Sequence, residues 1–192
     1  MRKWFAYGGI AASIVLVAFG IGAIGLGAWG LNEVRDSIAA QKITATPDAA
    51  ELTGGALQPG QEIKTGADAR HFATIMEHHA LESTGGKRYA EMGRFLTPEG
   101  KDTSDEALAA KTPDGRPVEN GLRNLWVTET ALSTALNMAF FSERVAVFSI
   151  VMGIALLLTG IGFLVLTIGG ALGTVAIPRR KAAASGMASA AT

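Results

Sequence analysis

Two stretches of the chain carry apolar residues on every side rather than on one face. Trp4 to Asn32 contains no charged residue, and its apolar centre, Ile10 to Leu31, is 22 residues long. A helix of about 20 residues crosses the roughly 30 Å hydrocarbon core of a bilayer. Trp4, Phe5 and Tyr7 at one end and Trp29 at the other sit where interfacial aromatics anchor a span. The second stretch, Val145 to Pro178, runs 34 residues without a charge. That exceeds one crossing, so this helix either tilts or begins outside the bilayer.

The pattern changes between them. Leu31, Val34 and Ile38 continue a helical stripe, with Glu33, Arg35 and Asp36 on the other side, up to a break at Pro47-Asp48. Thr53-Gly54-Gly55 and Gln58-Pro59-Gly60 read as turns, and Ile43 and Ile63 as parts of short extended pieces. Thr65-Gly66-Ala67-Asp68 has the form of a capping box. Phe72, Ile75, Met76 and His79 then recur at helical spacing until Gly85-Gly86 stops the helix. A short amphipathic piece follows around Tyr89, Met92, Phe95 and Leu96.

Residues 97 to 120 read as a solvated loop. Thr97-Pro98-Glu99-Gly100 and Thr112-Pro113-Asp114-Gly115 are type I turns, and Asp105 to Lys111 holds a helical turn or two. From Asn120 the pattern predicts one long helix into the second apolar stretch. Leu125, Leu132 and Leu136 are expected on its packed face, Trp126 at the edge, and Glu129 on the exposed side.

The predicted fold class is mainly α: an antiparallel pair of transmembrane helices with a small, mostly helical domain between them. The expected organisation is 1–8 cytoplasmic, 9–31 first span, 32–144 extracytoplasmic, 145–177 second span and 178–192 a disordered cytoplasmic segment. A cleaved signal peptide is the rival for the first span. Its apolar core would be about 7–15 residues, and Ala28-Trp29-Gly30 is a poor cleavage site, so a retained helix is preferred.

Charge supplies the orientation. Arg2, Lys3, Arg179, Arg180 and Lys181 flank the apolar stretches with no acidic residue beside them. The twelve other basic residues and all seventeen acidic ones lie between Glu33 and Arg144. The positive-inside rule then keeps both flanks in the cytoplasm and places the middle outside, in a multi-pass plasma-membrane protein. Nothing in this balance points to nucleic acid. With no cysteine, disulfides, thiolate metal sites and thiol catalysis are excluded.

Glycine is frequent in both spans. Ala23-xxx-Gly27 and Gly169-xxx-Gly173 are small-xxx-small pairs that suit close helix packing. Gly20-Ile-Gly22-Ala-Ile-Gly25 matches a dinucleotide fingerprint, but no strand precedes it. Neither span holds Asp, Glu, Lys, Arg or His, so a proton or ion pathway through this chain is not expected.

The one constellation that suggests chemistry is His71, Glu77, His78, His79 and Glu82. Two histidines and a carboxylate form the ligand set of non-haem iron. His71 and His78 lie about 10.5 Å apart along a helix axis, too far to share an ion. His78 and Glu82, one turn apart, or His79 and Glu82, are the pairs a metal would use if another element supplied a third ligand. The competing reading is an exposed polar helix face. Ser83, Thr84 and Ser142 have no base-and-orienter set for nucleophilic catalysis. Lys87-Arg88 beside Tyr89 reads as a solvated turn, with a phosphate or lipid headgroup as the minority reading. No catalytic residue and no cofactor is assigned.

The run His79-Ala-Leu-Glu-Ser-Thr-Gly-Gly-Lys-Arg-Tyr-Ala-Glu-Met92, the segment Gln41-Lys42-Ile43 and the aromatic and Gly-rich run Leu136 to Leu172 resemble a family of two-span membrane proteins from high-GC Gram-positive bacteria. Many of its members carry the propagated name aromatic ring-opening dioxygenase LigA. The resemblance implies architecture, since no iron-site motif of that dioxygenase class maps onto residues here. The expected role is therefore a non-enzymatic cell-envelope protein. Its partners would be the bilayer and a protein, an envelope component or a second copy of the chain. The alternative is a metal-dependent ring-opening dioxygenase using His78 and Glu82.

Overall fold

The computed structural model describes residues 2–170. The expected helix stop at Pro178, the Arg179-Arg180-Lys181 anchor, Gly173 and the segment 178–192 lie outside the described residues. The described residues are 67% helical. Four α-helices follow one another as α1 (Arg2–Ala40), α2 (Ala49–Leu52), α3 (Gly66–Ser83) and α4 (Gly121–Ile168). A two-stranded ladder, β1 (Phe95–Leu96) and β2 (Asp102–Thr103), lies between α3 and α4. Contacts divide the chain into one unit of Met1–Ile24 with Val151–Thr192 and a second of Gly25–Ile150.

In the first unit α1 and α4 run antiparallel. A Cβ added to Gly20 would lie 2.7 Å from Leu157 N and 2.8 Å from Gly153 O; one on Gly160 would lie 3.0 Å from Val17 N. Backbone thus meets backbone, which only residues without a side chain permit. The small residues recur every seventh position: Ser13 and Gly20 on α1 and Gly153 and Gly160 on α4 in this unit, the spacing continuing to Gly27 and Ala146 in the second. A seven-residue repeat keeps one seam of each helix toward its partner. Of the anticipated four-residue pairs, Gly27 lies on this seam and Ala23 is half-buried, while Gly173 lies outside the described residues. The outward surfaces carry the exposed residues Phe19, Ile21, Leu158, Phe163 and Val165. Both helices are long and apolar enough to cross a membrane, with mean hydropathy of 2.3 and 2.5 and only 11% of either apolar window buried.

The second unit has a real core. Ile38, Leu57, Ile63, Ala69, Ile75 and Leu136 are buried together. Ile43 and Ile63 lie in extended backbone as expected, joined by the bridge Thr44–Glu62 and the bond from Ile63 N–H to Ile43 O. Thr65 caps α3 in a capping box with Asp68, and Gly85 and Gly86 follow its end at φ 61° and 81°. The turns ending at Gly100 and Gly115 close through their N–H bonds to Thr97 O and Thr112 O. Asn120 starts α4 by accepting from Leu122 N–H.

Three expectations are corrected. α1 stops at Ala40, ahead of Pro47, with Lys42 in the left-handed region at φ 51°. Phe95 and Leu96 pair with Thr103 and Asp102 as a strand, so only Tyr89–Glu91 is helical there, as a 3-10 turn. Residues 97–120 are mostly exposed as expected, with the two turns closed by hydrogen bonds and a single 3-10 turn at Glu106–Leu108. The packed face of α4 is rotated from the leucine stripe: Leu125 and Leu132 are exposed, while Trp126 and Glu129 are buried. Trp126 is not an edge residue. It packs on Ala80 and Met92, and its indole N–H donates to Lys87 O at 2.8 Å.

Candidate functional site

The histidine cluster occupies the surface of α3. His78 and Glu82 are both exposed. No group of three or more His, Cys, Asp or Glu among the described residues is placed to hold a metal ion. His79 instead reaches Asp48 at the start of α2, with Nε2 at 2.7 Å from Oδ2. The Thr46 hydroxyl beside it, then His79, hold the Asp48 carboxyl down to about 2. Thr46 Oγ1 itself satisfies no regular hydrogen-bond geometry in the conformation seen, so the ring contact is the better defined of the two. Glu77 pairs with Arg88 at 2.7 Å, and Lys87 pairs with Asp102 at 3.0 Å. Both cations of the Lys87-Arg88 turn are therefore matched by carboxylates. Thr84 uses its hydroxyl on Ala80 O and Lys87 O and closes the end of α3.

The larger feature is an open groove of about 840 Å³ between α1, α3, α4 and the chain after α1. Val34, Ile38 and Ile43 form one wall, Phe72 and Met76 another, and Leu132, Leu136 and Ala139 the third. Glu33, Ser37 and Gln41 supply the polar groups. A second cavity of about 390 Å³ shares Val34 and continues along Leu26, Gly30, Met138 and Phe141. Ligand sites are typically apolar clefts of about 300–1,000 Å³ with a few polar groups that orient the ligand. This groove has that size and that make-up.

The sequence had marked Val34, Ile38, Phe72, Met76 and Leu136 as core positions. They do pack together around the core, and the same residues line the edge of this groove. Leu132 joins them because the rotation of α4 turns it toward that volume and away from the core. The available signal was an apolar helix stripe that continued beyond the charge-free run of α1. Whether such stripes close or leave a cavity depends on distances that spacing does not contain. Among known proteins the chain matches no family model, no curated protein and no solved structure.

Proposed function

We propose that the chain is a two-span plasma-membrane protein whose Gly25–Ile150 unit is a non-enzymatic binding module for an apolar envelope component, a lipid tail held in the 840 Å³ cavity. The cavity carries this reading. Its walls are hydrocarbon, its polar groups sit on one wall, and α1 is one unbroken helix from the charge-free run through Val34 and Ile38. The smaller cavity joins at Val34 and reaches back to Leu26. An apolar chain leaving the bilayer beside α1 meets apolar surface all the way into the larger cavity. Each methylene transferred contributes about 0.8 kcal/mol. On this reading the protein belongs with the two-span membrane proteins it resembles, and its flanks are cytoplasmic.

The test uses the full chain in detergent and cis-parinaric acid, a fluorescent fatty acid, as probe. Binding should be saturable and should be competed by extracted membrane lipid. Ala135→Trp fills the cavity from its rim and should weaken binding by about tenfold or more, a loss of roughly 1.4 kcal/mol. Unsaturable binding, or an unchanged Ala135→Trp, would overturn the reading.

A further inference from the structure

Glu129 stands on the packed face of α4, between Trp126 and Ser133, and is the one buried ionisable side chain among the described residues. Burying a carboxylate is costly unless it is hydrogen-bonded and matched by opposite charge. Hydrogen bonds are present. Ser133 Oγ donates to Oε1 at 2.5 Å and Thr130 Oγ1 donates to Oε2 at 3.4 Å. No cation lies within ion-pair distance of it among the described residues, although Arg123 stacks on Tyr89 of the same cleft at 3.9 Å. Arg88 lines the same cleft but is engaged with Glu77 at 2.7 Å and lies over the Trp126 ring at 5.6 Å.

The carboxylate opens into a cleft of about 420 Å³ whose wall also holds Thr130, Ser133 and Asn137. Asn137 Nδ2 donates to Ser133 O, which leaves its Oδ1 as an acceptor. A recess of about 450 Å³ shares Tyr89, Trp126, Thr130 and Thr134 with the cleft and adds Val127 and Ala131. Acceptors thus gather around a buried negative charge, and an apolar recess adjoins them. The geometry points to a binding site for a primary ammonium group carried on an apolar or aromatic body. The ammonium offers three donors and an opposite charge; the body fills the recess. This site uses residues that the lipid cavity does not, and stands independently of it.

The experiment is calorimetric titration of the full chain in detergent with benzylammonium chloride, and with benzyl alcohol as its uncharged twin. The ammonium should bind saturably, and the alcohol about tenfold more weakly or less. Glu129→Gln keeps the shape and removes the charge; it should weaken the ammonium by about tenfold or more while melting no lower than the parent. Thr134→Trp blocks the cleft from its exposed rim and should do the same without touching Glu129, which decides the matter if the first variant fails to fold. No saturable binding by the parent, equal binding of the alcohol, or parent-like binding in Thr134→Trp or a folded Glu129→Gln would overturn the assignment.

Discussion

Glu143 of α4 accepts a hydrogen bond from the backbone N–H of Gly66, the first residue of α3. Its other oxygen pairs with Arg35 of α1 at 2.9 Å, so one carboxylate ties three helices of the Gly25–Ile150 unit together. The first N–H groups of a helix have no partner within it, and the helix dipole favours an anion there. Gly66 is required by the same approach, since a Cβ would lie 2.8 Å from Phe140 Cα. Glu143→Ala should cost about 1–3 kcal/mol, because it strands a buried donor as well as removing the ion pair. Gly66→Ala should also destabilise, although alanine is the better helix former. Chemical unfolding followed by loss of α3 helicity measures both. An unchanged midpoint in Glu143→Ala would show that the junction is held by packing alone.

The seven-residue glycine seam makes a positional prediction in the first unit. Gly153→Leu places side-chain atoms against Gly20 O and Ile24 N, each only 2.8 Å from an added Cβ. A Cβ added to Gly162 or Gly22 would meet nothing within 4 Å, so Gly162→Leu and Gly22→Leu serve as controls. Overpacking of this kind costs about 1–3 kcal/mol or more when the obstacle is backbone. Thermal stability in detergent should therefore fall for Gly153→Leu and stay near the parent for the two controls. Equal losses at all three would mean that glycine content, and not the seam, sets the stability.

Much of the second unit was legible because its signals are local. The Thr65–Asp68 capping box, the stop at Gly85, the turns at Gly100 and Gly115 and the start at Asn120 each depend on residues within four positions of one another. The face of α4 was not legible. Its leucines at 125 and 132 lie one step around the helix from Trp126 and Ser133, and the stripe that packs includes Glu129 and Ser133, which hydropathy discounts. Leu136 belongs to both stripes, so periodicity alone could not choose between them. The site was hidden for a related reason. The partners His79 and Asp48 are 31 residues apart, and the walls of the large cavity come from three segments; neither follows from spacing along one helix.

Two aspartates predict the acid limb of stability. Asp48 is held low by Thr46 and His79, and Asp102 by the Gly93 N–H at 2.8 Å and then by Lys87. A carboxyl whose folded value is depressed stabilises the fold above its unfolded value and loses that contribution as protons bind. For Asp48 the loss spans the fall in pH from 3.8 to about 2. Asp48→Asn should therefore be less stable than the parent near neutrality and should approach it as the pH drops through that window. Asp102→Asn should behave in the same sense. Urea midpoints taken across acid pH check this, and a constant gap between parent and variant at every pH would refute the linkage.

Orientation across the membrane is the remaining prediction, and charge decides it. Arg2 and Lys3 precede the first apolar run and Arg179, Arg180 and Lys181 follow the second, with no acidic residue among them. Basic residues next to a span resist translocation, whereas the acidic excess between Glu33 and Arg144 does not oppose it. Two crossings return the chain to the side where it began. The chain has no cysteine, so single cysteines can be read on a clean background. Ser104 is exposed in the stretch between β2 and the following 3-10 turn, and a cysteine there should react with a membrane-impermeant maleimide on intact cells. Ser185→Cys should react only after lysis. The opposite pattern would invert the orientation and put the Gly25–Ile150 unit on the cytoplasmic side. Labelling of both positions on intact cells would mean a single crossing, and α1 or α4 would then have to shelter its apolar surface against another protein.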